Sequence, residues 1–350
     1  MNPHALLTTL MPGLLAFMLW AFPVTTQAGH TPPDLFLEGI ILRPGVTVDI
    51  HARVFVNPVH PSRGVTVLAV NGLSHAANSW MPFVDSLFTH NPAGRKVGHV
   101  VALIMPGQGL SGVPEGLPVG DVTLDDYATI LLRCLEALPD HKIRPRTLLG
   151  HSLGGLVIQM AQQRLVHQGT SLRRAFNVDE VLLLGTAAPS AVPDDNSVWL
   201  PVIEMCHYYG WTVVPFPLFA AEWRVGGLFS NAYGELIPGT PTLEEIAENG
   251  YVAAEPLTVL KQLAGYPPFE NPEVDPGVFG RQSRTTLKVI AYEHDWFGNA
   301  LTIQQVYEYL TGDSDLTQFL IIPGDNTAHD LHIADPSYLL ECIAEQITFP

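Results

Sequence analysis

Gly150-His151-Ser152-Leu153-Gly154 sets a serine between two glycines, with an apolar run before it and a helix-forming run behind it. The pattern is G-x-S-x-G. Arg146 to Leu149 reads as the end of a short buried strand, and Leu156, Met160 and Leu165 recur at helical spacing between Gly155 and Leu165. Ser152 is therefore predicted at a strand-to-helix turn, a strained geometry that small neighbours must tolerate and that lifts the hydroxyl clear of the sheet. A hydroxyl so placed is a candidate nucleophile.

A serine needs a base to take its proton and an acid to orient that base. On such a turn both are expected later in the chain, acid first. Asp295 lies in Tyr292-Glu293-His294-Asp295-Trp296-Phe297-Gly298, just beyond a predicted strand at Thr286 to Tyr292, at the carboxyl end where sites on open sheets are built. Glu293 competes, but it sits closer to the strand and its side chain can point away. For the base, position has to decide among 14 histidines. His329, in the loop Gly324 to Asp330, is preferred to His332 nearer the loop's exit. Acyl transfer also needs two donors for the oxygen that becomes negative. The backbone N–H groups of Leu153 and Leu73 are the candidates, although Asn71-Gly72 before Leu73 reads equally as an ordinary tight turn. Candidate substrate-binding residues are Asn71, Gly72, His75, His151, His207 and Trp211, with His151 expected to pack under the turn.

These residues need a scaffold. Phe36 to Leu42 and Val46 to Val56 read as two edge strands joined at Arg43-Pro44-Gly45. Further strands are predicted at Val65 to Val70, His99 to Met105, up to Leu149, Val181 to Leu184, Thr286 to Tyr292 and Phe319 to Ile322. Helices are predicted at Trp80 to Phe88, Thr123 to Leu138, after Ser152, around Ile303 to Leu310 and at Tyr338 to Ile347. Such alternation predicts an α/β fold: a mainly parallel eight-stranded sheet with helices on both faces. Between Ala187 and Arg284 the alternation stops in a stretch rich in proline and aromatic residues, too long for an ordinary loop, so residues 187–284 are predicted to be an inserted helical cap. Most of its aromatics, among them Tyr208, Tyr209, Trp211, Phe216, Phe219, Trp223, Phe229, Tyr233 and Tyr251, are expected to form the cap's own core, and a few to line an apolar pocket facing Ser152. The core then comprises residues 29–186 and 285–350.

Residues 1–28 carry Leu6 to Leu10 and Leu14 to Phe22 and end at Thr26-Gln27-Ala28, which reads as a secretory signal peptide despite the absence of Lys or Arg in Met1 to Ala5. A secreted or periplasmic protein with no stable membrane insertion after cleavage is expected; the rival, an uncleaved anchor, is interrupted by Pro12 and Gly13. With 17 basic and 34 acidic residues the formal charge is −17, which disfavours nucleic acid and anionic membrane surfaces as partners. Cys134, Cys206 and Cys342 allow at most one intrachain disulfide and show no metal spacing.

The ordered set resembles the α/β-hydrolase fold superfamily, in its capped esterase, lipase and epoxide-hydrolase-like branch. Asn71-Gly72 through Trp80 resembles the family's His-Gly loop, Met105-Pro106-Gly107-Gln108-Gly109-Leu110-Ser111 its Asp-x-Pro-Gly-x-Gly-x-Ser stretch, and Gly150 to Gly155 its nucleophile elbow. Asn71 and Gln108 stand where histidines are usual. Because Ser152 fills a position at which dehalogenases and epoxide hydrolases of the family carry aspartate, the resemblance implies a serine esterase: a Ser152-His329-Asp295 triad, an acyl-enzyme, a small-molecule ester or lactone substrate with an apolar or aromatic moiety, and neither metal nor cofactor. An amidase or peptidase with the same triad, or a ligand-binding protein of this fold, are the alternatives.

Overall fold

Eight strands form one sheet in the computed structural model, which describes residues 34–60, 64–90, 96–193, 199–214, 228–295, 297–312 and 318–344. The predicted leader at 1–28 and three of the insertion's aromatics, Phe216, Phe219 and Trp223, lie outside those residues. The strands are β1 (Asp34–Arg43), β2 (Val46–Val56), β3 (Val65–Val70), β4 (Val97–Leu103), β5 (Pro145–His151), β6 (Glu180–Leu184), β9 (Thr286–Tyr292) and β10 (Phe319–Ile322), in spatial order β1-β2-β4-β3-β5-β6-β9-β10; β7 (Val213–Val214) and β8 (Glu255–Pro256) form a separate antiparallel ribbon. From β4 to β10 every neighbour is parallel, while β2 is antiparallel to both β1 and β4.

Local chemistry accounts for the edge. Pro44 fixes its own φ, Gly45 takes the positive φ of 77° that the turn requires, and Arg43 pairs directly with Val46. The central strands are apolar on both sides, as expected where helices cover both faces. One layer contains α2 (Leu124–Ala137), α3 (Leu153–His167), α4 (Leu172–Phe176) and α8 (Ala300–Thr311); the other contains α1 (Met81–His90), α9 (Leu331–Ala334) and α10 (Pro336–Ile343). Helix α2 begins in a capping box, where the Thr123 side chain accepts from the Asp126 N–H and the Asp126 carboxylate accepts from the Thr123 N–H. Arg43 grips the same carboxylate and so fastens the hairpin to α2.

Three boundaries differ from expectation. Ala77–Trp80 is a 3-10 turn and α1 starts at Met81, with Pro82 in the first turn where a missing N–H costs nothing. Strand β4 runs Val97–Leu103 instead of His99 to Met105, because Val97 already pairs with Val65. Helix α10 starts at Pro336 under an Asp335 cap. Between β6 and β9 the described residues carry α5 (Leu200–Tyr209), α6 (Leu243–Asn249), α7 (Leu257–Leu263) and the β7/β8 ribbon. Cys134, Cys206 and Cys342 are all free.

Candidate active site

Strand β5 ends at His151 and α3 begins at Leu153, which leaves Ser152 alone at the junction with φ 49° and ψ −120°. A side chain in that region is strained and persists only where its surroundings fix it. Here the backbone is held on both sides: the Ser152 N–H donates to the Leu184 carbonyl at 3.0 Å, and the Ser152 carbonyl accepts from Ala187 at 3.0 Å and Gly155 at 2.9 Å. The flanking glycines are sterically required. A Cβ on Gly154 would lie 2.2 Å from the Val70 carbonyl oxygen, and one on Gly155 would lie 2.1 Å from Thr186 Oγ1.

The base and acid arrive from the ends of β10 and β9. His329 Nδ1 is 2.8 Å from Asp295 Oδ2, both side chains are buried, and Asp295 Oδ1 accepts from the Phe297 N–H at 2.8 Å. With Nδ1–H given to the carboxylate, the basic lone pair of the ring is on Nε2. Glu293 turns elsewhere, accepting from the Gly324 N–H at 2.7 Å. One cavity is lined by Ser152 and His329 together with the apolar side chains of Leu73, Trp199, Leu228, Leu263 and Phe297. Trp199 stacks on Phe297 at 5.6 Å, and Phe297 lies 5.6 Å from the His329 ring.

Leu73 sits in a turn closed by the His75 N–H donating to the Gly72 carbonyl at 3.2 Å, with Ser74 at φ 57°. The segment between β6 and β9 braces this turn. The Ala253 N–H donates to the Ser74 carbonyl at 2.7 Å, the Ala76 N–H to the Tyr251 carbonyl at 2.8 Å, and the Ser74 N–H to the Glu255 carboxylate at 2.7 Å. Glu255 also receives the Tyr127 hydroxyl at 2.5 Å and the Gln108 amide at 3.1 Å, yet burial pushes its pKa up to about 7 against those three donors.

Other candidates are placed differently from expectation. Asn71 is spent on structure: its amide donates to the His75 and Leu103 carbonyls and its oxygen accepts from Trp80 Nε1 at 2.6 Å. Gly72 is covered, because a Cβ there would lie 2.8 Å from His151 Nδ1. His151, by contrast, packs beneath the elbow as expected, with Nε2 3.0 Å from the His329 carbonyl oxygen. His207, exposed on α5, meets Tyr266 edge-on, and Trp211 stacks on Tyr209; among the described residues neither lines the cavity. Only His75 of the six candidate substrate-binding residues lines it.

Beneath the elbow His75, His151, Asp330 and His332 come together, wholly inside the protein. Burial, then neighbouring histidines, holds His151 well below the usual imidazole range, and burial pushes His332 down to about 3. Burial raises Asp330, but the flanking His75, His332 and His329 outweigh it and its pKa is lowered. Spacing gave no hint of Glu255, Trp199 or Asp330, since each reaches the site through tertiary packing; the only local trace is the His-Asp-x-His arrangement of 329–332, which brings His332 about one helical turn after His329.

A model of the alpha/beta hydrolase family matches residues 67–340. The chain belongs to that family. No curated protein sequence matches this alpha/beta hydrolase. Among solved structures it is similar to a bromoperoxidase from Bacillus anthracis (14% identity, TM-score 0.59, covering 89% of this chain and 98% of that one). It is also similar to a thermophilic esterase from Thermogutta terrifontis (18%, 0.58, 89% and 97%) and to the enol-lactonase from Burkholderia xenovorans LB400 (16%, 0.55, 85% and 96%). Likeness at these identities is likeness of fold. In this alpha/beta hydrolase the two positions where histidine is usual are drawn into the loop network instead, Asn71 through Trp80 and Gln108 through Glu255.

Proposed function

We propose that this alpha/beta hydrolase is a serine hydrolase that cleaves a carboxylic ester or lactone bearing an apolar or aromatic group. The observation that carries the reading is the strained Ser152 opening into the same cavity as a His329 whose Nδ1 is engaged by Asp295. In this reading His329 Nε2 takes the Ser152 proton as the oxygen attacks the carbonyl carbon, and returns it to the departing alkoxide. Asp295 keeps the imidazole in the required tautomer. The Leu73 and Leu153 N–H groups receive the tetrahedral oxyanion, Leu153 at the N-terminus of α3 where backbone donors have no helical partner. Water then attacks the acyl-enzyme by the same route, and no cofactor enters. The apolar lining supports an apolar substrate group. Esterase and enol-lactonase neighbours carry ester chemistry on this fold, while the bromoperoxidase shows that the fold alone does not select it. The apolar run in residues 1–28 supports export, which N-terminal sequencing of the mature chain tests.

The test is fluorophosphonate labelling followed by intact mass, wild type against Ser152→Ala. A single adduct on wild type that disappears in the variant is expected. Labelling that survives in the variant, or is absent from folded wild type, removes the proposal. A panel of esters, lactones and amides then separates ester from amide hydrolysis.

A further inference from the structure

His75, His151, Asp330 and His332 form a closed group whose ligand atoms all lie within 4.8 Å of one another. Their exposures are 2%, 0%, 0% and 0%, so the group is shut off from solvent except where His75 borders the cavity. Protein partners satisfy only part of the group: His75 and one oxygen of Asp330 face each other, and His151 Nε2 meets the His329 carbonyl. Among the described residues, both ring nitrogens of His332, Nδ1 of His151 and Oδ2 of Asp330 have no hydrogen-bond partner. A neutral imidazole has one N–H and one lone pair, and the lone pair of His332 faces no donor, which is the half of the ring that an ion satisfies. Buried groups left in this state are costly and need an explanation.

The spacing supplies one. His75 Nε2 and His151 Nε2 lie 3.1 Å and 3.5 Å from Asp330 Oδ1, close to the edge of about 3.4 Å of a tetrahedron built on Zn–N bonds of about 2.0–2.1 Å, and the remaining separations, bounded at 4.8 Å, close in on the ion as it binds. Imidazoles on such an ion have ring centroids about 5 Å apart. The observed separations are 5.2 Å for His75 and His151, 5.8 Å for His75 and His332, and 4.3 Å for His151 and His332. His75 is also oriented as metal-bound histidines are: its Nδ1 is 2.8 Å from the Leu73 carbonyl oxygen, which takes that N–H and leaves Nε2 as the ligand.

We propose that this buried quartet binds one divalent first-row transition ion, Zn²⁺ by the character of its three imidazoles and one carboxylate. His151 binds through Nε2, with its proton on Nδ1, and gives up its contact to the His329 carbonyl. The four ligands come from three parts of the site: His75 lies two residues after Leu73, His151 precedes Ser152, and Asp330 and His332 follow His329. The ion therefore joins the turn, the elbow and the base loop from below; of its four ligands only His75 also lines the cavity of Ser152. Its role is structural, and it is independent of which bond the serine cleaves. Because the site is enclosed, the ion is acquired as the chain folds.

Protein produced in zinc-replete medium is analysed for metal by mass spectrometry, and protein from Co²⁺-supplemented minimal medium by visible spectroscopy. About one zinc per chain is expected, together with the d–d absorption of four-coordinate Co²⁺ and no thiolate charge-transfer band. His332→Ala and Asp330→Ala should lose the ion, and His167→Ala, at an exposed His–Asp pair, should keep it. Wild type that is metal-poor and spectroscopically silent overturns the proposal, as does an ion retained in both ligand variants or lost in His167→Ala. If neither ligand variant accumulates as folded protein, the wild-type stoichiometry and Co²⁺ spectrum decide alone.

Discussion

The carboxylate of Glu255 accepts the N–H of Ser74 at 2.7 Å, across 181 residues of sequence. That bond ties the insertion between β6 and β9 to the turn that presents Leu73 to the cavity. Ser74 is held at φ 57° without being glycine, and the buried Glu255 is in turn held by Tyr127 and Gln108. The shape of the candidate oxyanion turn is thus set from the far side of the insertion as well as by Asn71-Gly72.

Glu255 should make stability fall with rising pH. Burial raises its folded pKa from 4.5 to about 7, so between those values the folded protein holds a proton that the unfolded chain has released. The penalty is absent below 4.5, grows through the interval and is constant above 7, reaching about 3 kcal/mol. Glu255→Gln cannot ionise. Chemical unfolding of both proteins across this interval should show the variant gaining on wild type as pH rises; a difference independent of pH would contradict the assignment.

Gly154→Ala should be among the most damaging small substitutions in the chain. The new Cβ would lie 2.2 Å from the Val70 carbonyl oxygen and 2.6 Å from that of Asn71, and backbone in the sheet centre cannot move aside cheaply. Loss of about 3 kcal/mol or more is expected, at the upper end of overpacking costs. Thermal unfolding followed by circular dichroism checks it, and an unchanged midpoint would show that the elbow relaxes more than its geometry implies.

Asp295→Asn separates the two carboxylates after β9. The amide retains the contact from the Phe297 N–H but offers N–H where His329 needs an acceptor, so the imidazole adopts the wrong tautomer and turnover should drop by about 10⁴ with folding preserved. Glu293→Gln, whose carboxylate serves only the Gly324 N–H among the contacts seen, should change turnover little. The reverse ranking in initial rates with an activated ester would move the acid to Glu293.

How far the sequence could be read follows from the range of each interaction. Ser152 was legible because its constraint is local: Gly150, Gly154 and Gly155 record in sequence the backbone crowding of the elbow. Asp295 and His329 were legible because each follows a strand of the predicted sheet. Glu255 was not, since its partners Ser74, Gln108 and Tyr127 are brought to it only by folding. His207 and Trp211 looked suited to a pocket by type, but α5 turns the former toward Tyr266 and Trp211 prefers Tyr209. Side-chain type marks capacity, and only packing marks direction.

Trp199 should govern the size of substrate that the cavity admits. It is 9% exposed, lines the cavity and stacks on Phe297, which itself stands 5.6 Å from the His329 ring. Trp199→Ala removes one wall and the brace on Phe297, while Ser152, His329 and Asp295 keep their mutual supports. Small esters lose apolar contact and bulky ones gain room, so the ratio of kcat/KM for a bulky over a small acyl ester should rise by about tenfold or more. The ratio matters more than either rate, because looser packing near His329 slows both substrates alike and cancels. Steady-state kinetics on an acyl-length series measures it; an unchanged ratio would place the acyl group elsewhere in the cavity.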